Sequence, residues 1–533
     1  MNKLQTLMES RRIRWIFLAV SAVLLGITVC FPVVGILEWV ALVPMAAVLF
    51  FEARRENFSF GKSYLVGLAF FELYLAVVYH WFFYMYPLDF LGMSKGAAAV
   101  VVAVACFGLA LLHAVPGALF VPLFLVAARG KAAKRYPILL PILAAALWCI
   151  AEWSLTLGWS GVPWARLALG QMELLPMVQT ASLFGSYGIT FLIVVVNFLL
   201  TYALLDKKRI AVAVSLLLVA VNLSVGSALM MTDPAEGEPI RMAAVQGNIS
   251  SKDKWDDDSF IDSLTVYTRY TQRAASAGAT VVVWPESVVP YSINEMPTVD
   301  SYLRSLAKTE GIHLLVGGFL TEGEDIYNAI YAYAPDGSLN ETLYFKRRLV
   351  PFGEFLPMEG FIRTFIPPLA ELNTLSKDLE AGRDSNIIKT EVGDFGCLIC
   401  FDSIYEDLVR DSVLDGAEII LLSTNDSWFS DSAALYMHNR QAALRAIENG
   451  RYVVRSANTG ISSVITPHGE VLDSLGALRK GYIVSDVYLK TDTTLYARAG
   501  NVIVWASMAF YVAIALYEVA AKISDCKNKK RGA

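Results

Sequence analysis

The sequence predicts a bundle of membrane-spanning helices joined to one layered α/β domain. Two observations carry this prediction. The chain is 56% hydrophobic and only 17% charged, above the roughly 45–50% apolar share of soluble domains. The excess is uneven: residues 1–232 hold long apolar runs, 238–490 read as an ordinary soluble domain, and 491–533 hold one more run and a basic tail.

A helix needs about 20 mostly apolar residues to cross the hydrocarbon. Eight candidates meet this near 14–31, 34–52, 62–84, 97–127, 137–157, 187–206, 209–231 and 500–521. The run at 97–127 is too long for one straight span, and Pro116 is the expected site of a kink. The first run lacks a cleavage site and reads as a retained anchor. Lys and Arg alternate between loops. They gather at Lys3, Arg11, Arg12 and Arg14, at Arg54, Arg55 and Lys62, at 129–135, at 207–209, and in the tail from Lys522 to Arg531. The intervening loops hold only Lys95 and Arg166. This bias predicts eight spans, cytoplasmic termini and the 238–490 block on the opposite side. The aromatic connection 157–186 shares that side, as an interfacial Trp belt or a substrate-facing loop.

In the 238–490 block, strand patterns alternate with helix patterns. Strands are expected at 241–246, 280–284, 312–319, 326–334, 339–345, 395–401, 418–423, 452–457 and 461–466. Helices are expected at 258–277, 298–309 and 433–449, and Pro335-Asp336-Gly337 marks a hairpin turn. This rhythm argues for helices covering sheet faces.

Net charge of −5 gives no basic stripe for nucleic acid. Six cysteines form no disulfide or zinc pattern, and five scattered histidines argue against a His-ligated metal. Three short motifs carry the chemistry: Val-Val-Val-Trp-Pro-Glu-Ser at 281–287, Phe-Lys-Arg-Arg-Leu-Val-Pro-Phe-Gly-Glu at 345–354, and Gly-Cys-Leu-Ile-Cys-Phe-Asp at 396–402. They offer Glu286, Lys346 and Cys400, a carboxylate, an ammonium and a thiol that suffice for covalent acyl transfer. Each follows a strand pattern, and reactive groups gather at the carboxyl ends of strands in α/β sheets. Taken singly, each has a simpler reading: a buried small hydrophobe for Cys400, a turn residue for Glu286, a solvated cation for Lys346. Cys397 and Cys400 form a C-x-x-C pair, but on a strand i and i+3 point to opposite faces, which argues against a redox site.

These motifs in this order resemble the nitrilase superfamily. With the helical frame the whole chain resembles the apolipoprotein N-acyltransferases. Further matching stretches are Val-Gln-Gly-Asn at 245–248, Trp255, Tyr-Asn at 327–328, Asn-Asp-Ser-Trp-Phe at 425–429 and Arg-Ala-Ile-Glu-Asn-Gly-Arg at 445–451. The resemblance implies an αββα sandwich, a Glu286–Lys346–Cys400 triad, and supporting or substrate-binding roles for Glu354, Trp255, Asn328, Phe401, Asp402 and Trp428. At the nucleophile the family usually has Cys-Tyr-Glu; this chain has Cys400-Phe401-Asp402.

The implied activity moves an acyl chain from a phospholipid, through a Cys400 thioester, to the α-amine of an N-terminal diacylglyceryl-cysteine on a lipoprotein. It needs no cofactor or metal. The expected setting is a monomer in the bacterial inner membrane, with the catalytic domain in the periplasm and no nucleic-acid partner. Residues 355–369, rich in Phe, Ile, Leu and Pro, are the expected lipid-facing segment, and the aromatic run 79–84 is either interfacial belt or acyl-chain wall. The alternatives are a membrane-anchored amidase, in which water takes the acyl group, and a transporter with a periplasmic domain.

Overall fold

The computed structural model describes residues 3–88, 93–232, 235, 237–249, 257–365 and 377–531. They form two compact units. One comprises 1–83, 101–231 and 499–533, and the other 84–100 and 232–498.

The second unit is built on twelve described strands: β1 Ile240–Gln246, β2 Val281–Val283, β3 His313–Glu322, β4 Asp325–Tyr333, β5 Tyr344–Phe345, β6 Ile388–Thr390, β7 Gly393–Ile399, β8 Ile419–Thr424, β9 Val453–Ala457, β10 Ser462–Ile465, β11 Val471–Leu475 and β12 Gly481–Val487. They make two sheets of matching design, ordered β12-β1-β2-β3-β4-β5 and β11-β10-β9-β8-β7-β6. In each, three central strands run parallel (β1, β2, β3 and β7, β8, β9) and the rest are antiparallel. Strand parity divides the core into layers. Met242, Ala244, Val281, Val283 and Leu315 pack with Phe395, Cys397, Ile399, Leu421 and Val454 of the other sheet. Their neighbours Ala243, Val245, Val282, Leu314 and Val316 pack instead with Phe260, Tyr267, Val299 and Leu303, which lie on the helices Asp257–Ser276 and Pro297–Glu310. Central strands buried on both faces explain the unbroken runs of Val, Ile and Leu.

The expected strand at 339–345 is a correction. Only Tyr344 and Phe345 pair with β4 as a strand, with a single bridge from Leu339 to Tyr333, because Asp336 and Asn340 accept the backbone N–H groups of Ser338 and Thr342 (2.8 and 2.9 Å) and hold the chain in turns. The expected strand 395–401 stops at Ile399. The edge strands β6, β11 and β12 and the helix Glu406–Leu414 have no counterpart in the sequence reading. β11 is largely exposed, so it carries no apolar alternation to detect.

In the first unit seven described helices are long and apolar enough to span a bilayer, and an eighth, Leu139–Ser154, is shorter. The long fourth run divides after Pro116 into Lys95–Gly117 and Phe120–Ala128, as the missing proline N–H requires. The connection 157–186 differs from expectation. Residues 161–172 are buried, Trp164 included. Irregular backbone is tolerated at membrane depth only where protein satisfies it, and here side chains from the spans do so. Tyr74 donates to the Ala165 carbonyl (2.8 Å) and Tyr79 to that of Val162 (3.1 Å). Glu152 accepts the Leu167 N–H (3.2 Å), and Gln171 donates back to the Gly35 carbonyl (2.9 Å) and Glu38 (2.6 Å). Arg166, counted above as a loop cation, is buried and bonded to Ser186 (2.9 Å).

A close backbone approach in this region is at Gly35, where a Cβ would lie 1.8 Å from the Gly170 carbonyl oxygen. Gly35→Ala is therefore expected to destabilise the protein by about 1–3 kcal/mol, as overpacking does. Gly61→Ala, with nothing within 4 Å of its added methyl, should melt like the parent. Equal melting temperatures for both variants in detergent would refute this packing.

Candidate active site

Strand ends place the three reactive groups. Glu286 follows β2, Lys346 follows β5, and Cys400 follows β7 at the start of a 3₁₀ turn, Cys400–Ile404. Cys400 has φ +48° and Ser287, beside Glu286, also +48°. Non-glycine residues in this region are strained and concentrate at functional sites.

Lys346 is 1% exposed. Its Nζ donates to Glu286 Oε1 at 2.8 Å and to Glu354 Oε1 at 2.9 Å. Asn328 Nδ2 bridges the same two oxygens at 2.9 and 3.1 Å. The outer carboxylate oxygens take backbone donors: Asn425 N–H to Glu286 Oε2 (3.0 Å) and Val350 N–H to Glu354 Oε2 (2.8 Å). Burial alone would depress the Lys346 ammonium. The negative charges of Glu286 and Glu354 outweigh burial and hold it charged, well above its ordinary range. Cys400 lies in the field of Glu286 and Lys346. Burial first, and Glu286 second, push its thiol up, against the pull of Lys346. Cys400 therefore rests as a thiol.

Asp402 resolves the departure noted beside the nucleophile. It is fully buried. Oδ2 accepts from Tyr344 Oη (2.8 Å) and Ile399 N–H (3.1 Å), and Oδ1 from Arg347 N–H (3.2 Å) and Arg348 N–H (2.8 Å). The shorter carboxylate thus ties the Cys400 turn to the segment that carries Lys346. Burial raises its carboxyl to about 6, against Lys346 and these donors. Phe401 packs edge-on against Tyr405 (5.6 Å), and Arg348 sits over the Tyr405 ring (4.8 Å). Trp428 lies on the short turn Ser427–Phe429 after β8, partly buried. Trp255 lies outside the described residues. Cys397 is buried in the inter-sheet core, and both it and Cys400 are free thiols. No metal-binding cluster occurs among the described residues.

The structure adds residues that the sequence reading did not single out. Ser423 Oγ donates to the Trp284 carbonyl (2.9 Å), which fastens β8 to the end of β2. His438, Asp426 and Arg455 form a buried cluster that reaches the Cys400 carbonyl. Their only sequence signal was position: Asp426 falls inside the 425–429 motif, while His438 sits on a helix that read as packing.

Residues 241–495 match the family model described as carbon-nitrogen hydrolase, and residues 21–199 match that of the apolipoprotein N-acyltransferase N-terminal domain. The apolipoprotein N-acyltransferase of Geobacter metallireducens is 28% identical, with 93% of each chain covered. That of Gloeobacter violaceus is 30% identical over 88% of this chain and 87% of its own, and that of Bradyrhizobium diazoefficiens 32% identical over 71% and 73%. Among solved structures, an amidase from Nesterenkonia sp. overlaps 50% of this chain and 94% of its own, at 21% identity and a TM-score of 0.38. The nitrilase-like α/β domain and the helical membrane unit anticipated from the motifs are both present, and the chain is a membrane acyltransferase belonging to the apolipoprotein N-acyltransferase family.

Proposed function

We propose that Cys400 is the nucleophile, Glu286 the proton carrier and Lys346 the fixed cation of a two-step acyl transfer from a phospholipid to a diacylated lipoprotein N-terminus. The observation that carries this reading is the buried Glu286–Lys346–Glu354 array, whose charges act on the Cys400 thiol. As Cys400 sulfur attacks the ester carbonyl carbon, its proton passes to Glu286. Lys346 and a backbone N–H at the start of the 400–404 turn stabilise the oxyanion. The C–O bond then breaks, Glu286 returns the proton to the departing lysophospholipid oxygen, and the thioester remains. In the second step the lipoprotein α-amine attacks the thioester carbon and gives a proton to Glu286. The C–S bond breaks, an amide forms, and the proton returns to the thiolate.

Glu354 and Asn328 hold Glu286 and Lys346 in register, and Asp402 holds the Cys400 turn against Lys346. Phe401 shapes the turn through Tyr405. Trp255 and Trp428 are proposed to face substrate. Lipid as donor is supported by the helix Glu359–Phe365, which exposes Phe361 and Phe365 with rings 4.9 Å apart. The Lys and Arg alternation supports an inner-membrane protein with cytoplasmic termini and a periplasmic catalytic unit. The described residues of this site all come from one polypeptide, in keeping with the monomer proposed here.

Incubation with a phospholipid carrying a radiolabelled acyl chain should leave label on Cys400 that neutral hydroxylamine releases; label retained in Cys400→Ala would overturn the mechanism. Glu286→Gln separates base from nucleophile. It should slow acyl transfer by about 10²–10⁴-fold. Alkylation of Cys400 by iodoacetamide at pH 8 should not slow, because the charge that raises the thiol is gone. Parallel loss of both would contradict the assignment. Asp402 gives a pH signature. Its folded value of about 6 exceeds the unfolded value of about 3.9. Folding therefore favours the protonated form, and this contribution is full below the unfolded value and lost as pH rises through the folded one. Between pH 4 and 7 the wild type should lose more melting temperature than Asp402→Asn; equal slopes would refute this.

A further inference from the structure

A second buried polar cluster touches the nucleophile turn. Asp426 follows β8, His438 lies on the helix Ala433–Asn449, Arg455 lies on β9, and Ser403 lies on the 400–404 turn. All four are at most 2% exposed. Asp426 Oδ1 lies 2.9 Å from His438 Nδ1 and accepts from Thr424 Oγ1 at 3.0 Å, while Oδ2 accepts from Arg455. His438 Nε2 lies 3.2 Å from the Cys400 carbonyl oxygen and 3.0 Å from Ser403 Oγ, and Ser403 Oγ itself donates to the same carbonyl at 2.8 Å. Burial would raise the Asp426 carboxyl, but Arg455 and His438 prevail and hold it well below its ordinary range. The space beside it is closed: a Cβ on Gly460 would lie 2.1 Å from Asp426 Oδ2.

A cluster of this kind could serve only to join β8, β9 and a helix. Two features go beyond that. Its outer end grips the carbonyl of Cys400, the residue held at φ +48°. Such a conformation costs about 1–3 kcal/mol and survives only where the surroundings over-determine it. In addition, Asn425, the residue before Asp426, gives its N–H to Glu286 Oε2 (3.0 Å). One turn, Thr424-Asn425-Asp426, therefore holds the proton carrier directly and the nucleophile through His438.

We propose that Asp426 and His438 are positioning residues for acyl transfer. Asp426 sets the plane of the imidazole, Nε2 is held against the Cys400 carbonyl and Ser403 Oγ, and the pair fixes the approach of the Cys400 thiol to Glu286. His438 acts through Cys400. It does not touch substrate and carries no proton to or from it. The proposal rests on the reading of Cys400 as nucleophile.

Single-turnover acylation of the full-length enzyme by a phospholipid with a fluorescent acyl chain tests it. His438→Ala should lower the saturated acylation rate by about 10²-fold, the scale of a misplaced reacting group, and leave the half-saturating lipid concentration unchanged. His438→Gln carries an N–H that reaches the place of Nε2 and should recover most of the rate. His438→Asn is too short and should stay as slow as alanine. The Gln and Asn variants are equally polar in the same core, so the contrast survives even if alanine fails to fold. Equal rates for Gln and Asn, an Ala rate near wild type, or a change in half-saturation alone would overturn the positioning role. Cys400→Ala separates the two levels: an acylated Cys400→Ala enzyme would overturn the nucleophile, whereas an inert one beside an unimpaired His438→Ala would overturn positioning only.

Discussion

One buried ammonium shared by two carboxylates organises the catalytic unit. Lys346 meets Glu286 and Glu354 almost out of reach of water. Removing one partner of a buried ion pair typically costs about 3–5 kcal/mol, because the other charge is stranded. Two strand-end segments, one after β2 and one after β5, must therefore stay together for either to be tolerable. Asn328 and the N–H groups of Asn425 and Val350 complete the set. At Cys400 the field of Glu286 outweighs that of Lys346 and opposes a resting thiolate. Reactivity is then coupled to proton movement.

The sheets make this convergence possible. β2, β7 and β8 are parallel central strands whose carboxyl ends deliver Glu286, Cys400 and Asn425. Ser423 and Ser456 stitch the two sheets together through the carbonyls of Trp284 and Val245. The Cys400 turn is then pinned twice, by Asp402 to the Lys346 segment and by His438 to the turn that holds Glu286. The membrane unit meets a related problem in another solvent. Its buried segment 161–172 has little access to water, so Tyr74, Tyr79 and Glu152 answer its backbone groups.

Sequence and structure agree where the signal is local. Long apolar runs marked the helices, because a bilayer demands length and apolarity in one stretch. Unbroken apolar runs marked β1 (Met-Ala-Ala-Val), β2 (Val-Val-Val) and β8 (Ile-Ile-Leu-Leu), because both faces are buried. Glu286, Lys346 and Cys400 stood out through the motifs around them. The short or edge strands β5, β6 and β11 were obscure, since two or three residues, or an exposed face, leave no period to read. The connection 157–186 misled for a similar reason: its Trp and Gly content fits an interface as well as an interior.

The chain alone pointed to the helical frame, the α/β class and the candidate reactive groups. All of these follow from which residues are near one another along the sequence. Tertiary structure decided which groups meet and which hold the others still. Glu286 and Asn425 are 139 positions apart, and Cys400 and His438 are 38 apart. Asp402 shows the difference most clearly. Beside the nucleophile it read only as an irregularity, and its role became visible once folding brought Tyr344 and the N–H groups of Arg347 and Arg348 to its oxygens. Contacts of that range depend on sheet pairing and packing, and no local pattern encodes them.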